Sequence, residues 1–427
     1  VLLIDPWAIL AAGFWLSFGA VGALLFVGGN LVGQAKGWRA KIAAWSGVQW
    51  AATLASLPVL LLVFQQFSLV SPIANAVAIP VISFIVTPLA LLAAVVPWGP
   101  ILALAHGILA ALMVFLEWCA GWPVWVAPAP PLGVAIAAAV GVACLLLPRG
   151  MAGRWAGAFL VLPAVFWPAV RPADGEAQIT VLDVGQGLAA LVQTRNHALL
   201  YDPGPLYSAE SDAGQRVVVP YLRFIGLNRL DVMMVTHRDT DHSGGMASVA
   251  AGLPVGEVRT SIGGIGEPCL AGQGWAWDGV RLSVLHPVEG DYRAGGKANH
   301  LSCVLKVETA GGSMLLTSDI EAADEAALLA RNPESLKADV LLVPHHGSRT
   351  SSTPDFLDAV GAQEAIVPVG YRNRFGHPKP DVMERIEART NFVWRTDRDG
   401  ALTVYLSPAG TRIEAWRQQS RRYWHGQ

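Results

Sequence analysis

The apolar residues are arranged differently in the two halves of the chain. Up to residue 170 they form long continuous runs, and beyond it they form short runs separated by Gly, Asp and Pro. A helix needs about 20 mostly apolar residues to cross the hydrocarbon core of a bilayer. We therefore predict an all-α, polytopic transmembrane bundle with helices at 8–29, 42–64, 73–96, 101–118, 133–147 and 155–169. The last three runs are shorter, which leaves room for one of them to lie in the interface.

The second half has the pattern of an α/β domain. Its β-rich runs lie at 179–184, 198–201, 232–235, 313–316 and 340–343, and helical runs between them include 322–331 and 354–360. Strands that alternate with helices indicate a layered α/β fold. The chain is thus predicted to be multi-domain, with a transmembrane helical domain at 1–170, a linker at 171–177 and a soluble domain at 178–427.

The composition reflects this division. Hydrophobic residues make up 53% of the chain and charged residues 15%, and Glu117 is the only charged residue between Lys41 and Arg149. The net charge of −2 at pH 7 gives no general attraction to polyanions, so nucleic-acid binding must rest on local basic groups or on metal. Cys269 and Cys303 show no CxxC spacing, and a disulfide between them stays open.

Basic residues in the first half predict its orientation. Lys36, Arg39 and Lys41 follow the first apolar run, and Arg149 and Arg154 lie between the fifth and the sixth. The positive-inside rule places both loops in the cytoplasm. With six crossings the second half would then lie outside, and one miscounted helix would reverse this conclusion.

Potential metal ligands follow the third predicted strand. His237, Asp239, Asp241 and His242 lie within six residues of one another. Burial of unpaired polar groups at a sheet edge costs several kcal/mol, about 2–7 for each group, and a bound divalent cation would compensate for it. Three further strand ends carry the polar residues Asp202, Asp319, His345, His346 and Ser348. We therefore predict a metal site at this edge of the sheet.

These residues resemble known motifs. His237-x-Asp239-x-Asp241-His242 resembles the HxHxDH signature of the metallo-β-lactamase superfamily, and Asp202, Asp319 and His345 match its other motif positions in order. Together with the strings at 182–187 (LDVGQG), 342–348 (LVPHHGS), 5–6 (DP) and 13–18 (GFWLSF), the chain is similar to the ComEC family, the DNA-internalisation channel of naturally transformable bacteria. The resemblance covers essentially the whole chain. Complete members also have an N-terminal extracellular domain and more membrane helices, so we expect this chain to be the downstream part of a longer protein.

The resemblance implies an αββα sandwich with one or two divalent ions in a cleft at the sheet edges. His237 and Asp239 would hold one ion, Asp241, His242 and His345 the other, and Asp319 would bridge them. Asp239 replaces the usual histidine of the superfamily, and an oxygen ligand there shifts the preference from Zn²⁺ towards Mn²⁺ or Mg²⁺. His300 falls where the superfamily has a further ligand, but the family pattern there looks like paired asparagines, so ligation and a hydrogen-bonding role both stay open.

Other residues are placed to handle a phosphodiester. Gly376-His377-Pro378 matches a family motif, and His377 would protonate a leaving oxygen or hold a phosphate, unless it caps a turn before the proline. Ser348 and Arg349, with His346 and His300, would contact phosphate oxygens. The alternative for the run at 348–352 is that it caps the helix beginning near Pro354.

The family resemblance implies a function in DNA uptake across the bacterial inner membrane. One strand would pass through the helical half, and the hydrolase domain on the periplasmic side would degrade the other strand by metal-assisted hydrolysis, with Asp241 orienting the attacking water. DNA, the membrane and other competence proteins are the expected partners. Two alternatives stay open: a transport channel whose hydrolase-like domain is catalytically silent, and hydrolysis of a small ester or lactam.

Overall fold

The computed structural model describes residues 2–31, 37–148, 150–294 and 296–422. Lys36 and Arg149, on which part of the predicted orientation rests, lie outside these ranges. The chain divides into two compact units, Val1–Ala169 with Arg223–Leu227, and Val170–Leu222 with Asn228–Gln427. The domain limits given above stay a prediction.

The first unit is built from apolar helices and one small antiparallel ribbon. The helices are α1 (Ala12–Leu31), α2 (Trp38–Val59), α3 (Ser71–Val81), α4 (Thr87–Val95), α5 (Gly99–Ala120), α6 (Leu132–Leu145) and α7 (Gly157–Val165), with π-helical turns at Leu60–Phe64 and Ile82–Val86 and 3₁₀ turns at Pro6–Leu10 and Arg154–Ala156. The ribbon pairs β1 (Gln66–Ser68) with β2 (Val124–Val126). Pro58 and Pro80 lie inside α2 and α3, and a π-helical turn follows each helix, consistent with the backbone donor that proline lacks.

Four stretches of the described residues are long and apolar enough to cross a membrane. They are Ala12–Gly29, Trp38–Phe64, Ser71–Val95 and Gly99–Ala120, whereas Leu132–Leu145 and Arg154–Val165 are shorter. The fourth stretch is longer than predicted because α5 begins at Gly99, with proline in its first turn. Large apolar side chains point outward, with exposed fractions of 79% for Phe84 and 81% for Val95. Such surfaces suit lipid.

The second unit contains two large mixed sheets. In chain order the strands are β3 (Ala177–Val181), β4 (Ala190–Gln193), β5 (Ala198–Tyr201), β6 (Leu206–Ser208), β7 (Ser211–Asp212), β8 (Leu230–Val235), β9 (Val255–Thr260), β10 (Glu267–Pro268), β11 (Gly274–Trp277), β12 (Val280–His286), β13 (Val304–Thr309), β14 (Gly312–Leu316), β15 (Val340–Leu342), β16 (Glu364–Val367), β17 (Phe392–Arg395), β18 (Leu402–Ser407) and β19 (Gly410–Ala415). One sheet has the order β10-β9-β8-β5-β4-β3-β18-β19 and the other β11-β12-β13-β14-β15-β16-β17, while β6 and β7 form a small hairpin.

Helices accompany both sheets of this unit. They are α8 (Val219–Phe224), α9 (Thr240–Ser243), α10 (Met246–Gly252), α11 (Glu289–Ala294), α12 (Ala322–Arg331), α13 (Pro354–Val360), α14 (Pro380–Glu387), α15 (Thr396–Asp399) and α16 (Trp416–Gln419). The strand runs predicted from the sequence overlap β3, β5, β8, β14 and β15, and β3 ends three residues before the predicted limit at 184. The two predicted helices coincide with α12 and α13. The predicted αββα sandwich is confirmed.

Alternation along the central strands explains the layers. Leu316 of β14 faces the inner core shared by both sheets, where it joins Val192 and Tyr201 of the opposite sheet. The preceding residue, Leu315, faces the other side and packs with Phe356 of α13. Successive strand side chains point to opposite faces, so a strand buried on both sides reads as a continuous apolar run.

Cys269 and Cys303 are joined by a disulfide, which answers the question that the sequence left open. Cys269 follows β10 and Cys303 precedes β13, so the bond links the two sheets. The main-chain carbonyl of Cys303 accepts a hydrogen bond of 2.5 Å from the Tyr201 hydroxyl. The Cys303 amide donates to the Thr236 carbonyl at 3.3 Å, one residue before His237.

Candidate metal centre

Four side chains from three strand ends converge in the second unit. They are Asp241 and His242 after β8, Asp319 after β14 and His346 after β15, and one ligand atom from each lies within 4.8 Å of the others. Nε2 of His242 lies 3.1 Å from Oδ1 of Asp319 and 3.3 Å from Nε2 of His346. Nε2 of His346 lies 3.5 Å from Oδ2 of Asp241. His242, Asp319 and His346 are buried, and Asp241 is partly open to solvent.

Sheet topology explains this convergence. β5 and β8 are parallel neighbours in one sheet, and β14 and β15 are parallel neighbours in the other. The carboxyl ends of parallel neighbours lie at the same edge of a sheet, and crevices there bind ligands in open α/β sheets. Residues that follow these four strands are therefore held by rigid elements, as a preorganised site requires.

The Nδ1 atoms of both imidazoles are fixed by hydrogen bonds away from the cluster. Nδ1 of His242 donates to Oδ2 of Asp202 at 2.7 Å, and Nδ1 of His346 donates to the Pro368 carbonyl at 2.7 Å. A neutral imidazole that donates through Nδ1 keeps its lone pair on Nε2. Both Nε2 lone pairs then face the carboxylates of Asp241 and Asp319, and this mixed nitrogen and oxygen set fits a divalent transition metal.

The charges of the cluster favour a cation. Burial raises the pKa of Asp319, but the neighbouring His242 and His346 outweigh it and hold the pKa well below its ordinary value. Burial likewise opposes ionisation of Asp241, but the hydrogen bond from His346 and nearby positive charge lower its pKa to about 2. Burial lowers the pKa of His242, yet Asp319 and Asp202 raise it well above its ordinary value. A metal ion held by these carboxylates would replace the extra proton, since metal ligands bind in their deprotonated form.

Strained backbone also gathers at this site. Asp202, Ser318, His345 and His346 have positive φ values of 58°, 49°, 48° and 54°. Left-handed backbone at non-glycine residues costs on the order of 1–3 kcal/mol for each residue and clusters at functional sites. The surrounding structure therefore maintains these four backbone conformations at the site.

The remaining predicted ligands lie beside this group. Nε2 of His237 lies 3.8 Å from Oδ2 of Asp239, and Nε2 of His345 lies 3.7 Å from Oδ2 of Asp319. Nε2 of His237 is buried and has no hydrogen-bond partner among the described residues. A buried nitrogen of this kind is costly unless a ligand satisfies it.

Comparisons with known proteins match each half of the chain to a family model. The family model "Competence protein" matches residues 1–151, and the model "Metallo-beta-lactamase superfamily" matches residues 182–371. Competence protein ComA of Neisseria gonorrhoeae is 38% identical over 424 residues, which cover 98% of this chain and 59% of ComA. The chain belongs to the ComEC family of competence proteins.

This ComEC-family chain is also similar to a second curated protein and to a solved structure. Uncharacterized protein YcaI of Escherichia coli K12 is 33% identical over 444 residues, which cover 100% of this chain and 57% of YcaI. The metallo-beta-lactamase fold protein YhfI of Bacillus subtilis has 12% identity and a TM-score of 0.34, over 51% of this chain and 95% of YhfI. The chain therefore spans less than two thirds of the length of these two relatives, 59% of ComA and 57% of YcaI.

The ComEC-family string LVPHHGS carries two adjacent histidines that the structure separates. His346, predicted to contact phosphate, has its Nε2 inside the four-residue group, whereas His345, predicted as a ligand, lies outside that group. Nδ1 of His345 is 3.0 Å from Oγ1 of Thr350 and 3.8 Å from Oε1 of Glu321. Ligation by His345 stays a prediction. Residue spacing alone does not separate neighbours that are both left-handed, and the glycine at 347 is the sequence signal for such a turn.

Three of the predicted phosphate contacts in this ComEC-family chain, His300, Arg349 and Ser348, have protein partners. Nδ1 of His300 lies 3.0 Å from Oδ1 of Asp324, in the capping box at the start of α12, which favours the hydrogen-bonding role over ligation. The guanidinium of Arg349 pairs with Asp381 at 2.9 Å. Ser348 is buried, and its hydroxyl accepts a hydrogen bond of 3.1 Å from Thr350.

The run at 348–352 contributes to the turn before α13 in a different way from that predicted. The N-cap of α13 is Thr353, with no side-chain capping bond. The buried carboxylate of Glu325 instead accepts hydrogen bonds from the amides of Ser352 and Thr353 at 2.6 and 2.8 Å. Capping of this helix by the serines themselves is therefore not what the structure shows.

His377 lies close to the candidate metal centre. Its ring centroid is 6.2 Å from that of His345, and its Nδ1 is buried without a hydrogen-bond partner in the described part of the chain. Burial, followed by the charges of His346 and His345, lowers the pKa of His377 to about 4. The imidazole is thus neutral at pH 7, which suits a hydrogen-bonding role towards substrate better than storage of a proton.

Sequence reasoning did not assign the residues that support the ligands. Asp202 was recognised as a motif position, but its role in holding His242 depends on the pairing of β5 with β8. Gly187 in the LDVGQG string has a φ of 139°, and a Cβ there would collide with the Asp241 carbonyl. The amide of Leu188 also donates to that carbonyl at 3.2 Å. The LDVGQG string therefore fixes the backbone of Asp241, which no local pattern reveals.

Proposed function

We propose that this chain belongs to a protein that takes up DNA across the bacterial inner membrane, and that its metallo-β-lactamase unit is a nuclease degrading the strand that is not transported. The observation that carries the nuclease is the convergence of Asp241, His242, Asp319 and His346, with both imidazole Nδ1 atoms anchored elsewhere. Membership of the competence family supports the uptake function.

The metal is a divalent ion such as Mn²⁺, Zn²⁺ or Mg²⁺, held by Asp241, His242, Asp319 and His346. When bound, it would supply a water of lowered pKa and neutralise charge on the phosphate. Asp241 is the member of the group that reaches solvent, so its carboxylate would accept a hydrogen bond from the attacking water and orient it. His377 would contact a phosphate oxygen, since its ring lies beside His345 at the margin of the site.

The periplasmic side is the proposed location of the hydrolase unit. The Cys269–Cys303 disulfide is typical of an oxidising compartment. Arg39 lies in the first turn of α2, and this basic end of the helix is expected in the cytoplasm. Counting from that helix, three segments remain if four cross in total and five remain if six cross, and either odd number of crossings leads to the outside.

A second candidate is a transport channel whose hydrolase-like unit is catalytically silent. The observation that favours it is the incomplete site around His237. Asp239 is half-exposed, and neither residue belongs to a group of three or more potential ligands in the part of the chain that was described. A scaffold that binds one structural ion without hydrolysis would have this appearance.

The deciding experiment uses the full chain in detergent micelles, loaded with Mn²⁺, Zn²⁺ or Mg²⁺. Labelled single- and double-stranded DNA are incubated with the wild type, with Asp241→Asn, and with Asp358→Asn as a control on a distant surface ion pair. We expect metal-dependent cleavage by the wild type and the control, and a loss of about 10²–10³-fold in Asp241→Asn, comparable to the removal of a group that stabilises the transition state.

Metal analysis and a chromogenic lactam separate the alternatives. Bound metal without DNA cleavage would support the silent unit. Hydrolysis of the lactam without DNA cleavage would replace the nuclease with a small-ester or lactam hydrolase. Equal DNA cleavage by the wild type and Asp241→Asn would refute the assigned site.

A further inference from the structure

The loop at 371–375 presents two aromatic rings and two guanidinium groups to solvent. The exposed fractions of Tyr371 and Phe375 are 70% and 46%. The guanidinium carbon of Arg372 lies 5.2 Å from the Tyr371 ring centroid, and that of Arg374 lies 4.8 Å from the Phe375 centroid. Exposed aromatic residues next to basic residues contribute little to a core, and together they have the composition of a binding surface.

This loop borders the metal centre. The Phe375 ring is stacked against His377, with centroids 5.8 Å apart, and the His377 ring is 6.2 Å from that of His345. Nε2 of His345 in turn lies 3.7 Å from Oδ2 of Asp319. The base of the loop is tied to the same site, because the amide of Gly370 donates to the side chain of Gln186 in the LDVGQG string at 3.3 Å. A ligand on these rings would therefore extend directly into the cleft.

The loop is held in one shape by its own hydrogen bonds. The Asn373 side chain accepts from the His377 amide at 3.0 Å and donates to the carbonyls of Gly370 and His377 at 3.0 and 2.7 Å. The Lys379 ammonium donates to the Phe375 carbonyl at 2.7 Å. A loop ordered before binding loses less conformational entropy when it binds, so its exposed rings are preorganised.

The charge of this segment differs from that of the chain. No acidic residue occurs between Glu364 and Asp381, although the whole chain has a net charge of −2. Arg372 and Arg374 are exposed, and neither forms an ion pair with any residue that the structure describes. Such arginines are free to contact phosphates, and they provide the local basic group that an overall acidic chain needs for nucleic-acid binding.

We propose that the loop at 371–375 is a binding site for single-stranded DNA at the metal centre. Tyr371 and Phe375 stack on unpaired bases, and Arg372 and Arg374 contact the backbone phosphates. In a duplex the base faces are already stacked on one another, so the rings select a single strand. This inference deepens the proposed nuclease, since it names the form of its substrate.

The test measures binding separately from cleavage. The full chain in detergent micelles carries Asp241→Asn, and fluorescence anisotropy follows a labelled oligothymidine and a duplex of equal length. Tyr371→Ala/Phe375→Ala is compared with Tyr371→Phe/Phe375→Trp, which keeps the rings. Phe392→Ala removes an exposed ring at the start of β17, the edge strand of the seven-stranded sheet, and serves as the matched control.

We expect Tyr371→Ala/Phe375→Ala to weaken single-strand binding by at least about 30-fold while duplex binding is unchanged, since two stacked bases are lost and each contributes about 1–3 kcal/mol. The ring-preserving pair and Phe392→Ala should bind like the parent. Arg372→Gln and Arg374→Gln should each reduce the slope of log affinity against log salt concentration by about 0.7. Equal weakening for both DNA forms, or no weakening, would overturn the proposal.

Two further results keep the loop separate from the nuclease. Ring-dependent single-strand binding by a chain that cleaves nothing supports the loop and refutes the nuclease. Cleavage that depends on Asp241, together with DNA binding that does not depend on the rings, supports the nuclease and refutes the loop as a binding site. Loss of binding to phosphatidylglycerol vesicles in place of loss of single-strand binding would identify the loop as a membrane contact and overturn the proposal.

Discussion

The carboxylate of Asp202 holds Nδ1 of His242 at 2.7 Å, and both side chains are fully buried. The same carboxylate accepts hydrogen bonds from the amide and the hydroxyl of Thr236 at 2.7 and 2.8 Å. Burial raises the pKa of Asp202, against the opposing effects of His242 and the Thr236 hydrogen bonds. Asp202 is thus a positioning residue that aims Nε2 of His242 at the metal site.

Asp202→Asn should weaken metal binding by about 10- to 100-fold, because the ring of His242 loses the carboxylate that orients it. Asp202→Ala should also lower the free energy of unfolding by about 1–3 kcal/mol for each donor left unpaired. Competition with a chelating dye measures the first effect, and thermal unfolding measures the second. Asp358→Asn is the control, and unchanged metal affinity in Asp202→Asn would contradict the positioning role.

His346→Ala and His345→Ala should differ in metal content. Nε2 of His346 belongs to the four-residue group, so its loss should remove most of the ion bound there, whereas His345→Ala should retain it. Elemental analysis of both variants after loading with Mn²⁺ measures the difference. If His345→Ala loses more metal than His346→Ala, the ligand set predicted from the sequence motif is correct.

Gly187→Ala should displace Asp241, because the new Cβ would collide with the Asp241 carbonyl. We expect cleavage to fall by about 100-fold, since a shift of about 1 Å in a reacting group has an effect of that size. Gly410→Ala is the matched control, with a positive φ of 108° but open space around a Cβ. A nuclease assay with both variants distinguishes the collision from backbone strain, and equal loss in the two would attribute the effect to strain.

Breaking the Cys269–Cys303 bond should destabilise the hydrolase unit by about 3–4 kcal/mol, the range expected for a disulfide that closes a loop of this length. Cys269→Ser/Cys303→Ser and the reduced wild type should unfold at similar, lower temperatures. Cys144→Ala, a free cysteine of the helical unit, should behave like the wild type. In intact cells, a thiol-reactive label that modifies Cys269 and Cys303 without prior reduction would argue against a periplasmic location.

The sequence predicted the layers well and the ligand geometry less well. The strand at 198–201 and the helix at 354–360 could be predicted because the spacing of apolar residues and the turn residues that flank each run are local properties of the sequence. The choice between His345 and His346 depended on two successive left-handed residues, and the role of His300 depended on its contact with Asp324 in a helix cap. The contact of His300 with Asp324 joins residues far apart in the chain, and no local pattern encodes it. For the two histidines, Gly347 signals the turn but does not indicate which imidazole reaches the site.

The candidate ligands come from both layers of the sandwich, with His242 following β8 of one sheet and Asp319 and His346 following β14 and β15 of the other. An ion held among them would cross-link the two sheets, in addition to its chemical role. Ligand binding to the folded state alone stabilises it by about 2.7 kcal/mol at a hundredfold excess over the dissociation constant. Chelation should therefore lower the unfolding temperature of the hydrolase unit, so that the supply of metal would set how long the unit stays folded.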